Sequence, residues 1–331
     1  MIDPIRQEIP TRVGPRMVDL QDIRNARERV ADRIRRTPLL RSSALGRMAG
    51  VRLFLKAEPF QKTGSFKVRG VFNRIALMPE DERQRGLIAI SAGNHAQAVA
   101  YAASATGLRS VVVMPESAAT SKVEASREYG AEIVLHGDVY AAFERMEQLR
   151  AEHGYTLAHP FDDEAMIAGH GTLGLELLED LPDADLVLVP VGGGGLLAGI
   201  ATAIKAIRPE TRVVGVEPEG AAGLSAAIAA GRVVRLERIL TVADGLAPPS
   251  TGETVLRQIR GIVDDVVTVS DAAIVRAVGL LMTRAKLVAE PSGAAGLAAL
   301  MAGVSGAGPG DRVIVVVSGG NIDPHRLKEI L

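Results

Sequence analysis

The sequence predicts an α/β protein with a three-layer build, in which open, largely parallel sheets carry helices on both faces. From about Gly86 onward, short β-branched runs alternate with longer stretches of helical periodicity, which is the pattern of βα units around a parallel sheet. Most of the runs are apolar throughout, as strands covered on both faces should be. Strands are predicted over 87–91, 110–114, 132–135, 186–191, 212–216 and 313–318, with Ala-rich amphipathic helices between them over 96–106, 117–129, 139–152 and 196–207. No repeat and no low-complexity linker divides the chain, so the strand grouping sets the domains. It predicts a small domain over 80–158 and a large one built from 18–79 and 159–331. The chain then crosses twice between the two bodies and leaves a cleft suited to a ligand. Residues 1–17 carry charges and three prolines but no continuous apolar segment, and read as a flexible arm, neither signal peptide nor membrane anchor.

Composition removes several function classes. The 38 basic residues balance 39 acidic ones, so no face is basic enough to track a nucleic-acid backbone. Aromatic residues are 3% of the chain and tryptophan is absent, which disfavours stacking platforms for bases or sugars. With no cysteine there are no disulfides, thiolate zinc sites or thiol nucleophiles, and a cytoplasmic home fits. A hydrophobic fraction of 47% over 331 residues gives ample core, while 35 glycines suggest backbone approaching a ligand closely.

Three glycine-containing loops begin where predicted strands finish: SAGNHAQ from Ser91, GGGGLLAG from Gly192 and SGGN from Ser318. Ligands of open parallel sheets bind at the carboxyl ends of strands, so these loops converge on one site. Gly192 to Gly195 open a predicted helix, and bare amides at a helix start suit a phosphate. Four adjacent glycines each cost ~1 kcal/mol of backbone entropy, which argues against a turn without a ligand. Gly193, Gly195 and Ala198 also satisfy GxGxxA, and Glu217 closes the next strand, so this segment alone admits a nicotinamide-dependent dehydrogenase. No Lys-Ser or Lys-Thr pair follows, which excludes a P-loop. Ahead of these loops, Ser65 is the predicted N-cap of a helix that places Lys67 in its first turn, where the helix dipole and burial lower a lysine's pKa and favour the neutral amine that imine formation needs.

Taken in order, SFKVRG, SAGNHAQ, GGGGL, ADGLA, AEPSGAAG and SGGN resemble the fold-type II pyridoxal-phosphate (PLP) enzymes of the threonine dehydratase and serine racemase group, relatives of the tryptophan synthase β chain. The likeness runs from Asp19 to the C-terminus. It implies PLP as cofactor, covalently attached at Lys67, with Phe66 against it, Asn94 at the ring hydroxyl, Gly192, Gly193, Gly194 and Gly195 at the phosphate and Ser318 at the pyridine nitrogen. Gly245 and Glu290 complete the cofactor surround. A hydroxyl at the ring nitrogen leaves the ring neutral and a weaker electron sink, which favours prompt loss of a β-leaving group. Ser91, Ala92, Gly93, Asn94 and His95 are the implied substrate-carboxylate loop, although Ser91 and His95 also serve as turn formers. His159 and Phe161 read as cleft floor or core.

The implied reaction is loss of water from L-threonine or L-serine, giving 2-oxobutanoate or pyruvate and ammonia, with Lys67 as general base. A dehydratase for threo-3-hydroxyaspartate or phenylserine stays open; the former wants a further cation near the β-substituent, which the sequence does not assign. A silent regulatory paralogue is disfavoured by the intact Lys67, Asn94 and Ser318. Two departures from the racemase pattern matter. The position of its second acid-base serine is Ala92, which predicts elimination without racemisation. Its cation ligands would map to Glu217, the Ala221 carbonyl and Gly223, so only one carboxylate is present and a divalent cation stays uncertain. The chain stops at Leu331, soon after SGGN, an ending that predicts no appended regulatory domain. The resemblance implies a homodimer or homotetramer.

Overall fold

The computed structural model describes residues 17–331; the arm predicted over 1–17 lies outside the described residues except for Met17. Among the described residues ten strands form two sheets. Strands β1 (Leu39–Arg41), β2 (Arg52–Ala57), β7 (Leu186–Pro190), β8 (Arg212–Pro218), β9 (Asp265–Val269) and β10 (Arg312–Val317) make a six-stranded sheet in the order β1-β2-β10-β7-β8-β9. Strands β3 (Leu87–Ile90), β4 (Ser110–Met114), β5 (Glu132–Leu135) and β6 (Thr156–Leu157) make a second, all-parallel sheet in the order β5-β4-β3-β6. Among the strands of the described residues only β1 runs antiparallel to its neighbour.

The period-2 alternation of a strand sends successive residues to opposite faces, and each sheet is covered on both. Val187, Val189, Ile314 and Val316 pack beneath the helices Leu20–Val30, Glu164–Asp180 and Gly195–Ile207. Leu186, Leu188, Val313, Val315 and Val317 meet the helices Asp271–Leu280 and Pro291–Met301 on the other face. In the smaller sheet Leu87, Ala89, Val112 and Met114 face the helices Val68–Ala76 and Asn94–Ala105, while Ile88, Val111 and Val113 face Val139–His153. The three-layer α/β expectation is met. The sequence did not announce β1, β2, β6 or β9.

The start of the Val68–Ala76 helix differs from the expectation. Ser65 does not cap it: its backbone is extended, it forms a bridge with Gly319, and its buried hydroxyl has no partner among the described residues. Lys67 itself stands at the N-cap position with helical dihedrals. Pairing with the loop after β10 outcompetes the local cap.

Two residues on, Arg69 is fully buried and bound on both sides. Its Nε and Nη2 donate to the Glu58 carboxylate, each at 2.8 Å, and its Nη1 donates to Glu176 at 2.7 Å. Buried Lys56 on β2 joins through Glu176 at 2.7 Å and Asp180 at 3.1 Å. Burial alone would lower the Arg69 pKa, but the charges and hydrogen bonds of Glu58 and Glu176 outweigh it and raise it. The network therefore ties the helix that follows Lys67 to strand β2 of the large sheet and to the Glu164–Asp180 helix. Removing one partner of such a cluster strands buried charge. Arg69→Met is expected to lose about 3–5 kcal/mol in denaturant unfolding; a loss below about 1 kcal/mol would show that the carboxylates relax to solvent or protonate freely.

Candidate active site

At the carboxyl ends of β3, β7 and β10 the three loops and the start of the Val68–Ala76 helix surround a cavity of about 360 Å³. All the residues singled out from sequence for cofactor or substrate carboxylate line it: Phe66, Lys67, Ser91, Ala92, Gly93, Asn94, His95, Gly192, Gly193, Gly194, Gly195, Gly245, Glu290 and Ser318.

Lys67 Nζ donates to the Pro160 carbonyl at 2.8 Å and lies 5.1 Å from the centre of the Phe66 ring. Burial lowers its pKa from 10.5 to about 8, opposed by the charge of Glu290. Three buried or largely buried histidines surround it, and burial depresses each of them. His95 is pushed down to about 3, by burial first and then by the Lys67 charge. His159 is lowered mainly by burial, and His170 lies well below its ordinary value from burial and then Lys67. Since His95 Nε2 sits 2.7 Å from the Ala158 carbonyl, that nitrogen carries the proton. His159 Nδ1 accepts from the Asp162 amide at 2.8 Å. His170 meets Phe66 edge-on at 4.8 Å between ring centres, and neither of its ring nitrogens has a partner among the described residues. Nothing in the sequence flagged His170; the only trace is Gly70, where a Cβ would lie 2.5 Å from the His170 ring.

Facing the amine, the glycine loop provides an anion cup. Among the described residues the amides of Gly192, Gly193 and Gly194 find no acceptor, and those of the first helical turn from Gly195 have none by geometry. The loop tolerates no side chain: a Cβ on Gly193 would lie 2.2 Å from the Phe161 ring, and Gly194 has φ 89°. Phe161 thus shapes the cup from behind, in keeping with its reading as cleft floor. Ser318, buried at the end of β10, offers a hydroxyl that makes no hydrogen bond to any described residue. A buried amine of depressed pKa, a ring of unpaired amides and a free hydroxyl fit the amine-reactive carbonyl, phosphate and ring nitrogen of PLP.

The substrate-side loop is partly self-engaged. The Gly93 amide donates to Ser91 Oγ at 3.2 Å, so that hydroxyl shapes the turn as well as lining the cavity. Asn94 Nδ2 donates to Glu290 Oε1 at 2.6 Å, and burial followed by the Asp244 charge raises the Glu290 carboxyl to about 7. The Gly245 amide donates to Ser292 Oγ at 3.0 Å, a cavity-lining residue inside the AEPSGAAG motif to which no role was assigned from sequence. Lys122 and Asp244, the latter inside the ADGLA motif, both line the cavity and pair with each other, a contact the sequence did not announce.

Glu217 lies outside this constellation. It ends β8 fully buried, and its oxygens accept from the Leu224 amide at 2.7 Å, the Ser225 amide at 2.9 Å and Ser225 Oγ at 2.6 Å. It therefore satisfies the start of the Gly223–Ala230 helix, with Gly223 as the first helical residue and Ala221 in the preceding turn. Those three donors engage both oxygens of the carboxylate, and no cluster of three metal-ligating side chains occurs among the described residues.

The profile of pyridoxal-phosphate dependent enzymes matches residues 30–319. The chain is 42% identical to the L-threonine ammonia-lyase of Thermotoga maritima, over 95% of this chain and 78% of that protein. Among solved structures it is similar to a threonine deaminase from T.th., with TM-score 0.87 and 46% identity over 92% of this chain and 99% of the other. It is also similar to maize serine racemase, with TM-score 0.90 and 37% identity over 95% and 97%. The fold and the site thus define a PLP enzyme, and the chain belongs to the pyridoxal-phosphate dependent enzyme family. The nicotinamide-dependent alternative falls with that assignment. No helix among the described residues is long and apolar enough to cross a membrane.

A lysine titrating near 8 is half neutral there. Competitive acetylation of the cofactor-free protein, followed by peptide mass spectrometry, should return a midpoint near pH 8 for Lys67. A midpoint near the ordinary 10.5 would mean that water or a counter-charge reaches the amine.

Proposed function

We propose that the protein removes water from L-threonine, and from L-serine as a side substrate, releasing ammonia and 2-oxobutanoate or pyruvate. The observation that carries the reading is the buried, low-pKa Lys67 amine facing unpaired Gly192–Gly195 amides across one cavity. Lys67 would hold the cofactor carbonyl, the glycine amides its phosphate, Asn94 its ring hydroxyl and Ser318 its ring nitrogen, with Phe66, Gly245 and Glu290 around it. When bound, PLP supplies an electron-withdrawing ring that lowers the cost of a carbanion at the substrate's α carbon.

The chain's own residues do the rest. The loop from Ser91 to His95 sits at a strand-to-helix turn and orients the substrate carboxylate. Lys67, neutral in half the molecules near pH 8, takes the α proton as general base. The depressed histidines around it add no competing positive charge. Loss of the β-hydroxyl as water leaves an unsaturated amine, which hydrolyses to the 2-oxo acid and ammonia. Ala92 stands where the related racemases carry a second acid-base serine, and its methyl group moves no proton.

The names borne by the relatives support threonine, and one local feature supports an uncharged β-substituent. Lys122 is the cavity cation that 3-hydroxyaspartate would want, but Asp244 already neutralises it. The division into a large domain (18–79 and 159–331) and a small one (80–158) draws support from the two separate sheets. A homodimer or homotetramer rests on the resemblance, and a cytoplasmic home on the absence of cysteine.

Formation of 2-oxo acid from L-threonine, L-serine and threo-3-hydroxyaspartate, measured side by side with PLP supplied, is expected to be fastest for threonine. Faster turnover of hydroxyaspartate would overturn the substrate reading. Lys67→Ala should lower kcat by about 10²–10⁴-fold, and appreciable D-serine from L-serine would contradict the part given to Ala92.

A further inference from the structure

Asn321, in the loop after β10, has no part in the scheme above, yet its side chain decides how Asn94 meets the cavity. Its Nδ2 donates to the Thr63 carbonyl at 2.7 Å and to Asn94 Oδ1 at 2.8 Å, with Gln97 Oε1 a longer third contact at 3.3 Å. The order of these bonds removes the usual ambiguity between the two ends of an amide. A backbone carbonyl can only accept, so the Asn321 atom facing Thr63 must be the nitrogen. The same nitrogen faces Asn94, so the Asn94 atom opposite it must be the oxygen. The Asn94 nitrogen is left to donate to Glu290 Oε1 at 2.6 Å, and its second hydrogen is free.

The approach is built for this contact. Thr63 has φ 60° and Gly64 has φ +69°, and a Cβ on Gly64 would lie 2.3 Å from Asn321 Oδ1. The Gly320 amide donates to the Gly64 carbonyl at 3.0 Å, holding the two loops in register. Thr63 is not glycine, and a left-handed residue of that kind is uncommon, so the turn directs its carbonyl at Asn321 at some local cost.

We infer that Asn321 is a positioning residue that locks Asn94 as a hydrogen-bond donor to the cavity, so that the site selects a ligand edge bearing an acceptor oxygen. The inference rests on the reading that Asn94 faces the cofactor ring, and deepens it. Without Asn321 the Asn94 amide can turn over and present its oxygen, which repels a phenolate and favours the protonated ring hydroxyl.

Four variants test this by two readouts, the PLP dissociation constant and the pH midpoint of the bound cofactor's visible absorbance. Asn94→Ala sets the reference effect. Asn321→Ala and the near-isosteric Asn321→Asp, which carries no hydrogen for the Thr63 carbonyl, are expected to weaken PLP binding by about tenfold or more. Both should move the absorbance midpoint in the same direction as Asn94→Ala. Gln97→Ala, which removes only the long contact, should leave both readouts unchanged. A midpoint that moves in Asn94→Ala but not in either Asn321 variant overturns the inference while leaving Asn94 its place. A midpoint unmoved in Asn94→Ala overturns the reading of Asn94 and the inference with it. Should Asn321→Ala fail to fold, Asn321→Asp alone decides.

Discussion

The placement of Lys67 depends on a charge that never reaches the site. Arg69 has no exposed surface and is held between Glu58 and Glu176, the latter of which also grips Lys56 on the large sheet. Such a cluster contributes little net stability against an apolar replacement of the same shape, because desolvating each ion costs several kcal/mol. What it supplies is direction. A guanidinium bound on two sides admits few orientations, so the first turn of the Val68–Ala76 helix is fixed in azimuth as well as position. Lys67, one residue before that helix begins, inherits the constraint and points its amine at the Pro160 carbonyl.

Much of this was legible in the chain and some was not, for identifiable reasons. Strands β4 and β5 fall where the β-branched runs placed them, and β3, β7, β8 and β10 differ only at their ends. All of these but the edge strand β5 are largely buried, so their composition speaks plainly. Strand β2 was missed because RLFLKA carries two cations. One of them, Lys56, is buried through partners more than a hundred residues away, a circumstance no local window can show. Strand β9 is a partly exposed edge. The helix start at Ser65 was misplaced because a long-range bridge to Gly319 replaced a local cap.

The site divides along the same line. Its glycine loops and Lys67 are readable because each breaks a local rule: four glycines where one would turn the chain, and a cation at the positive end of a helix. His170, Ser292, Asn321 and the Lys122–Asp244 pair break none. A histidine inside a helix and an asparagine in a loop are ordinary until the fold brings them beside Phe66 and Asn94. The motif SGGN drew notice to Asn321 without giving it a task.

Around the amine, the protein manages charge by withholding it. Three histidines are kept neutral by burial, and the one carboxyl whose charge acts on Lys67 is Glu290, itself raised to about 7. Had Glu290 been solvated and fully ionised, its charge would hold the lysine proton more firmly and delay the neutral amine to higher pH. Had it been absent, the Asn94 nitrogen would lose its acceptor. Burial moves the two groups toward each other from opposite sides, lowering Lys67 to about 8 and raising Glu290 to about 7. A lysine lowered in this way gives up its proton closer to neutrality than a solvated one, which is the condition an amine must meet to act as nucleophile and base in turn.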